Sequence, residues 1–237
     1  MTTPLDHYFQ IVDSAHIAGS ALDALADIFT EDAVVTHSGE MARGWGEIID
    51  LHRAHAANWA EVALHWTTAP PEAGGSLSGR WRQEGQDPLG RACRGSGGIK
   101  VALAPDGRIS RLHLTLTDGS DRARVIIAKH LEVWMIVDPG ERAEAMEGIY
   151  TEHVRFMEPD NVFVGRDALN DYVDAVQRKA PHLGGRVVVH SQNRNYIHWV
   201  GSFAFSGAMT VVGSEVLRLN GDLIDEVVVF GSDGTSL

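Results

Sequence analysis

The sequence predicts an α+β protein of two tandem domains, each with three helices packed on a curved antiparallel sheet. Two observations predict this. The chain repeats itself at one fixed offset, and in each half helical segments come first and strands follow.

Shifting the sequence by 121 positions pairs Ile28-Phe29-Thr30-Glu31 with Ile149-Tyr150-Thr151-Glu152. The same shift pairs Gly19 with Gly140, Gly44 with Gly165, and Asp50 with Asp171. A single register held across sparse identities reads as duplication. The domains are therefore expected at 1–118 and 119–237, joined near Thr117 to Ser120.

Each half opens with a helical stretch, 5–18 and 122–137. Gly19 and Asp138-Pro139-Gly140 break it before a second helix, which runs to Phe29 or Tyr150. A short strand follows, Ala33 to His37 or Val154 to Glu158, then a turn and a third helix opening at Gly44 or Gly165. Only strands remain. In the second half, Arg186 to His190, Tyr196 to Phe205, Met209 to Leu219 and Leu223 to Phe230 are rich in β-branched and aromatic residues. Asn220-Gly221 is a strong hairpin signal. In the first half the strands are Val62 to Thr68, Leu77 to Gln83, Gly98 to Leu103 and Ile109 to Thr117.

Composition narrows the function classes. Twenty Lys plus Arg stand against 32 Asp plus Glu, a net charge of −12, which excludes a basic nucleic-acid surface. Apolar residues make up 44% and leave ample material for a core. The single Cys93 cannot close an internal disulfide. The most apolar stretch, Val125 to Val137, is broken by Lys129, His130 and Glu132, so no membrane span is expected. The first residues lack a basic start followed by an apolar run, so a cytoplasmic protein without an export signal is expected.

This order of elements resembles the SnoaL-like branch of the nuclear transport factor 2 (NTF2-like) superfamily. The residues that carry the likeness are Ile28-Phe29-Thr30-Glu31-Asp32-Ala33, the helix starts at Gly44 and Gly165-Arg166-Asp167-Ala168-Leu169, and the turns Gly107-Arg108-Ile109 and Gly221-Asp222-Leu223-Ile224. The resemblance implies two cones, each with an apolar interior open at one end. On function it implies only a range, from isomerases, dehydratases, cyclases, lyases and epoxide hydrolases to binding modules without chemistry. It also implies pairing through outer sheet faces, as a pseudo-dimer within one chain or as a homodimer.

In that family the first strand ends in a residue facing the cavity, in ketosteroid isomerases the proton-shuttling Asp of an Asp-Pro pair. Here that place holds Glu158-Pro159, and the offset puts His37-Ser38 at the same place in the first half. The third helix separates the halves further. Its inward stripe is Leu169, Tyr172, Val173 and Val176 in the second half, but Ile48, Leu51, His52 and His55 in the first, with Trp59 a turn beyond. Imidazoles on a face that could be apolar cost desolvation unless they work, so the first cavity is the expected site.

The catalytic candidates are thus His37, His52 and His55, with Glu158 as the rival centre. Trp59 and Trp66 are the expected ring contacts, and Arg91 is a candidate for holding a phenolate or carboxylate. The glycines around Arg91 and Arg94 also fit a bulged or mobile loop. His113 alternates with Leu112 and Leu114, and parity leaves open which of them faces inward.

No cofactor is expected. A metal on His37, His52 and His55 is the weaker reading, because the helix lacks the His-Glu-x-x-His pattern. The expected activity is a cofactor-independent lyase or dehydratase acting on a hydrophobic aromatic or polyketide-like small molecule. The alternatives are an isomerase, cyclase or epoxide hydrolase centred on Glu158, or a non-catalytic binding or assembly module.

Overall fold

A computed structural model describes residues 3–15, 19–69, 76–180, 184–205 and 209–231. The chain separates into two compact units, Met1–Val125 and Ile126–Leu237. The repeat had placed the join a few residues earlier.

The first unit opens with α1 (Pro4–Ser14). Thr3 caps it: its hydroxyl accepts the Asp6 N–H, and the Asp6 carboxylate accepts the Thr3 N–H at 2.8 Å. Pro4 follows at a position where no backbone donor is needed. A 3-10 turn (Gly19–Ala24) and the short α2 (Leu25–Ile28) lead into β1 (Phe29–His37). Then come β2 (Glu40–Arg43), α3 (Gly44–Ala56), β3 (Glu61–Thr68), β4 (Leu77–Gln86), β5 (Ala92–Leu103), β6 (Ile109–Leu114) and the short β7 (Asp118–Gly119). The sheet order is β2-β1-β6-β5-β4-β3, with β7 on β5.

The helix α4 (Arg122–Met135) carries the division between the units. After it run α5 (Pro139–Glu147), β8 (Tyr150–Glu158), β9 (Asn161–Val164), α6 (Arg166–Lys179), β10 (Gly184–Asn193), β11 (Tyr196–Phe205), β12 (Met209–Asn220) and β13 (Leu223–Gly231). Their order, β10-β11-β12-β13-β8-β9, read from the other end, matches that of the first unit apart from β7. The expected α+β class, twice over, is what the chain forms.

Two details differ from the sequence reading. Each sheet is mixed, because β1 runs parallel to β6 and β8 parallel to β13, while the other neighbours are antiparallel. The first strands also begin at Phe29 and Tyr150, where helix was expected to end. Phe29 pairs with Ile109 and Val34 with Arg111, so five steps along one strand oppose two along the other. The register shift between them masks the alternation by which a strand is read.

In the core, β1 contributes Phe29, Ala33 and Val35, and β8 contributes Tyr150, Val154 and Phe156, all at most 1% exposed. Against them α3 packs Ile48 and Leu51, and α6 packs Leu169 and Val173. Each such side chain contributes about 1.5–3 kcal/mol by leaving water. Each helix has a glycine with positive φ at its start, +67° at Gly44, the first residue of α3, and +91° at Gly165, just before α6, where any L side chain would be strained.

The glycines near Arg94 do not form a mobile loop. Gly95, Gly97 and Gly98 lie within β5, and a Cβ on Gly97 would come 1.7 Å from the Thr115 carbonyl oxygen. Backbone approach, not flexibility, requires glycine there. The parity of β6 is also settled: Leu112 and Leu114 are buried and His113 lies on the other face, partly exposed. Among the described residues no helix is long and apolar enough to cross a membrane.

Candidate active site

The first-unit site begins with a hairpin. β1 and β2 are joined by Ser38 and Gly39, with φ of 54° and 81°, the two positive values that a tight two-residue turn demands. Ser38 is not glycine, so it stores strain. Its N–H is anchored on the Leu114 carbonyl at 2.8 Å. The turn makes His37 and Glu40 direct cross-strand partners, so both side chains project to the same face.

α3 lays His52 and His55 over that face, three residues apart and hence on one side of the helix. His37 Nδ1 lies 2.6 Å from His55 Nδ1, and His55 Nε2 lies 2.5 Å from Glu40 Oε2. Glu40, 4% exposed, also accepts a hydrogen bond from the Arg124 guanidinium at 2.9 Å. Four side chains thus form one chain of contacts, Arg124 to Glu40 to His55 to His37.

The order of partners fixes the protons. A carboxylate only accepts, so His55 donates Nε2–H to Glu40 and keeps a lone pair on Nδ1. His37 then donates Nδ1–H to His55, which leaves its own Nε2 as an acceptor. When His37 takes a proton there, positive charge can pass through His55 toward Glu40. Burial, then the neighbouring His55, His52 and Arg124, hold the His37 pKa well below the usual imidazole value, so the ring is neutral at pH 7.

His52 is 2% exposed, and its Nε2 faces the Tyr8 hydroxyl at 3.5 Å. Its Nδ1 is buried without a hydrogen-bond partner among the described residues. Desolvation, with a smaller effect of His55, lowers its pKa to about 3. Trp81, 3% exposed, sets its ring edge-on to His37 with centroids 5.9 Å apart.

The three predicted histidines therefore meet, with His37 ring centroids 4.2 Å from His55 and 6.0 Å from His52. The other predicted contacts do not join them. Trp59 lies beyond the end of α3 in a turn, because the helix stops at Ala56. Trp66 stacks on Phe9 at 5.0 Å and donates its indole N–H to Asp6, fastening α1 to β3. The Arg91 side chain is 73% exposed and bridges to Asp87 across a turn. The weaker metal reading is not met either: His37 and His55 turn their Nδ1 atoms on each other, and no metal-binding set of three ligands assembles among the described residues.

Sequence reasoning missed Glu40, Arg124 and Tyr8; Trp81 was one of four first-half tryptophans that could sandwich a ring, and Trp59 and Trp66 were preferred to it. Glu40 was within reach, because the Ser38-Gly39 turn makes it the partner of His37. Arg124 was not, since it lies 84 positions from Glu40.

In the second unit Glu158 takes the place of His37 and is 7% exposed. It accepts hydrogen bonds from Asn161 at 2.7 Å and from the Tyr172 hydroxyl at 2.6 Å. Asn161 stands where Glu40 does in the first hairpin. Burial, then the Glu158 bond and charge, raises the Tyr172 pKa, so that hydroxyl stays protonated and donates. Tyr172 also stacks on Phe163 with centroids 4.2 Å apart.

Fold and site together define a duplicated α+β protein with an imidazole and carboxylate array in its first unit. No family model matches the chain, and no curated relative does. Its neighbours among solved structures are NTF2-like, SnoaL-like and ketosteroid isomerase-like proteins, each covering about half of this chain. An NTF2-like protein of unknown function from Exiguobacterium sp. 255-15 is 23% identical, with TM-score 0.45, and spans 49% of this chain and 99% of its own. A SnoaL-like family protein from Agrobacterium tumefaciens C58 is 20% identical, with TM-score 0.44, and spans 47% and 97%. A protein with a ketosteroid isomerase-like fold from Catenulispora acidiphila is 11% identical, with TM-score 0.39, and spans 44% and 83%.

Proposed function

We propose that the first unit is a proton-transfer enzyme of the lyase or dehydratase type, working without a cofactor on a hydrophobic aromatic or polyketide-like small molecule. The observation that carries this reading is the chain from Arg124 through Glu40 and His55 to His37. It ends on a neutral imidazole with a lone pair beside Trp81, as a general base requires.

In this reading His37 Nε2 takes a proton from a carbon next to a conjugated group. The electron pair of that C–H bond becomes a C=C bond while the neighbouring C–O bond breaks. The imidazolium returns its proton to the leaving hydroxide, and water departs, so atoms and charge balance. His55 holds the His37 ring and shares its positive charge with Glu40. His52, with its free nitrogen, hydrogen-bonds the departing oxygen.

The test incubates the full chain in deuterated water with a panel of β-hydroxy aromatic ketones, following C–H exchange by NMR and water loss by mass spectrometry. Exchange and dehydration in the parent, abolished by His37→Ala and cut strongly by His55→Ala, are the expected results. Turnover that survives His37→Ala would overturn the reading.

A second reading places an isomerase or cyclase at Glu158, favoured by its burial and by its two donors, Tyr172 and Asn161. Loss of turnover in Glu158→Gln, with His37→Ala still active, would favour it. Binding of the same compounds without any conversion would favour a non-catalytic module.

A further inference from the structure

The second unit holds a polar group of its own, apart from Glu158. His130 on α4, Tyr150 at the start of β8 and Glu215 on β12 are 1%, 0% and 4% exposed. The shift of 121 positions sets His130 and Tyr150 against Phe9 and Phe29 of the first unit. Sheet register sets Glu215 against Ile99: the rung Leu114, Ile99, Gly79, which starts from His37, corresponds to Val229, Glu215, Trp199, one step beyond the Met157 and Val228 pair and so level with Glu158. All three first-unit counterparts are apolar and buried, so the fold does not need polar side chains at these places. This chain has put them there.

Their hydrogen bonds do not close. The Tyr150 hydroxyl, kept protonated by burial and by the charge of Glu215, donates to His130 Nδ1 at 2.7 Å. His130 Nε2 then carries the other proton and lies 3.0 Å from Glu215 Oε2. That approach is off the N–H direction. It is an electrostatic contact, and among the described residues Glu215 Oε2 is left without a hydrogen-bond donor. Directly across from Glu215 on β11, Trp199 is 0% exposed and its indole N–H has no acceptor among the described residues. A buried acceptor and a buried donor on facing positions, each unsatisfied, call for a group that accepts from one and donates to the other. A hydroxyl does both.

The surroundings are aromatic. Trp199 lies 5.6 Å from Phe203 and 6.4 Å from His130 by ring centroids, and Trp134 lies 6.4 Å from His130 and 5.5 Å from Phe156. Rings of this kind favour a planar guest in offset or edge-on contact.

We infer that the second unit has a binding site of its own, in which Glu215 and Trp199 hold the hydroxyl of a small hydroxylated aromatic molecule beside the His130 and Tyr150 pair. Its hydroxyl hydrogen goes to Glu215 Oε2 and its oxygen accepts the Trp199 N–H. The inference does not depend on the activity proposed for the first unit.

Phenol and toluene, which differ in the hydroxyl, are the probes. The full chain is labelled with nitrogen-15, and the indole N–H signal of Trp199 is assigned through Trp199→Phe. Phenol should shift that signal saturably, and toluene should bind at least about tenfold more weakly, the loss that about 1.4 kcal/mol of hydrogen bonding represents. Glu215→Gln, checked by circular dichroism to be folded, should weaken phenol by a similar factor. A Trp199 signal that phenol leaves unmoved, as when only water bridges the two groups, would overturn the inference. So would equal shifts by phenol and toluene, or a folded Glu215→Gln variant that binds phenol as the parent does. If Glu215→Gln does not fold, the phenol and toluene comparison on the parent chain decides.

Discussion

Replacing Glu40 by Gln removes one charge from the middle of the four-residue chain while preserving its shape. Glu40 is 4% exposed and is shared by Arg124 at 2.9 Å and His55 at 2.5 Å. Hydrogen bonds to charged groups contribute about 1.5–3 kcal/mol each. A buried charge stripped of its counter-ion costs about 3–5 kcal/mol. The Arg124 side chain keeps 18% of its exposure, which puts the loss at the low end, about 3 kcal/mol. The assay is amide hydrogen exchange on β1 and β6, which reports the first unit separately from the second. Imidazole nitrogen-15 shifts provide a second readout. In the parent, His55 should carry its proton on Nε2 and His37 on Nδ1, and in the variant this ordering should weaken. A loss below about 0.5 kcal/mol, the size of an ordinary surface substitution, would refute the reasoning. So would unchanged tautomers, since Glu40 would then not be setting the protons.

Three further outcomes follow from the same geometry. Folding holds His37 and His52 below the usual imidazole pKa, His52 at about 3, so the unfolded chain binds those protons more readily and acid destabilises the first unit. The stability is whole above about pH 6.5 and falls as pH drops toward the folded pKa values; His52 alone should cost about 2–3 kcal/mol by pH 4.5, and the pH dependence of urea unfolding should be shallower in His52→Phe. Gly97→Ala drives a Cβ into the Thr115 carbonyl at 1.7 Å, so the first unit should lose more than about 2 kcal/mol or fail to fold, read from thermal unfolding. Tyr172→Phe takes one of two donors from the buried Glu158 and should cost about 1–3 kcal/mol by urea unfolding, with an unchanged midpoint counting against that bond.

Much of the architecture was legible in the sequence because it is written locally. Breakers such as Asp138-Pro139-Gly140, the helix starts at Gly44 and Gly165 and the turn at Asn220-Gly221 act within a few residues. The offset of 121 repeated that local grammar and so exposed the duplication. The third-helix stripe was equally legible: a period of 3.6 puts Ile48, Leu51, His52 and His55 on one side whatever packs against them.

What the histidines do was a tertiary matter. Trp59 belonged to the helical stripe only if α3 ran on past Ala56, and it does not. Arg91 looked like an inward cation, yet a nearby Asp87 claims it at the surface. The aliphatic positions of α6 suggested an apolar second interior, but His130 and Glu215 bring polarity from other elements. The sequence alone determined which residue types each helix face and strand end presents. Only the tertiary structure decided which of them meet, because Arg124 and Glu40 lie 84 positions apart, a distance over which no local pattern carries information.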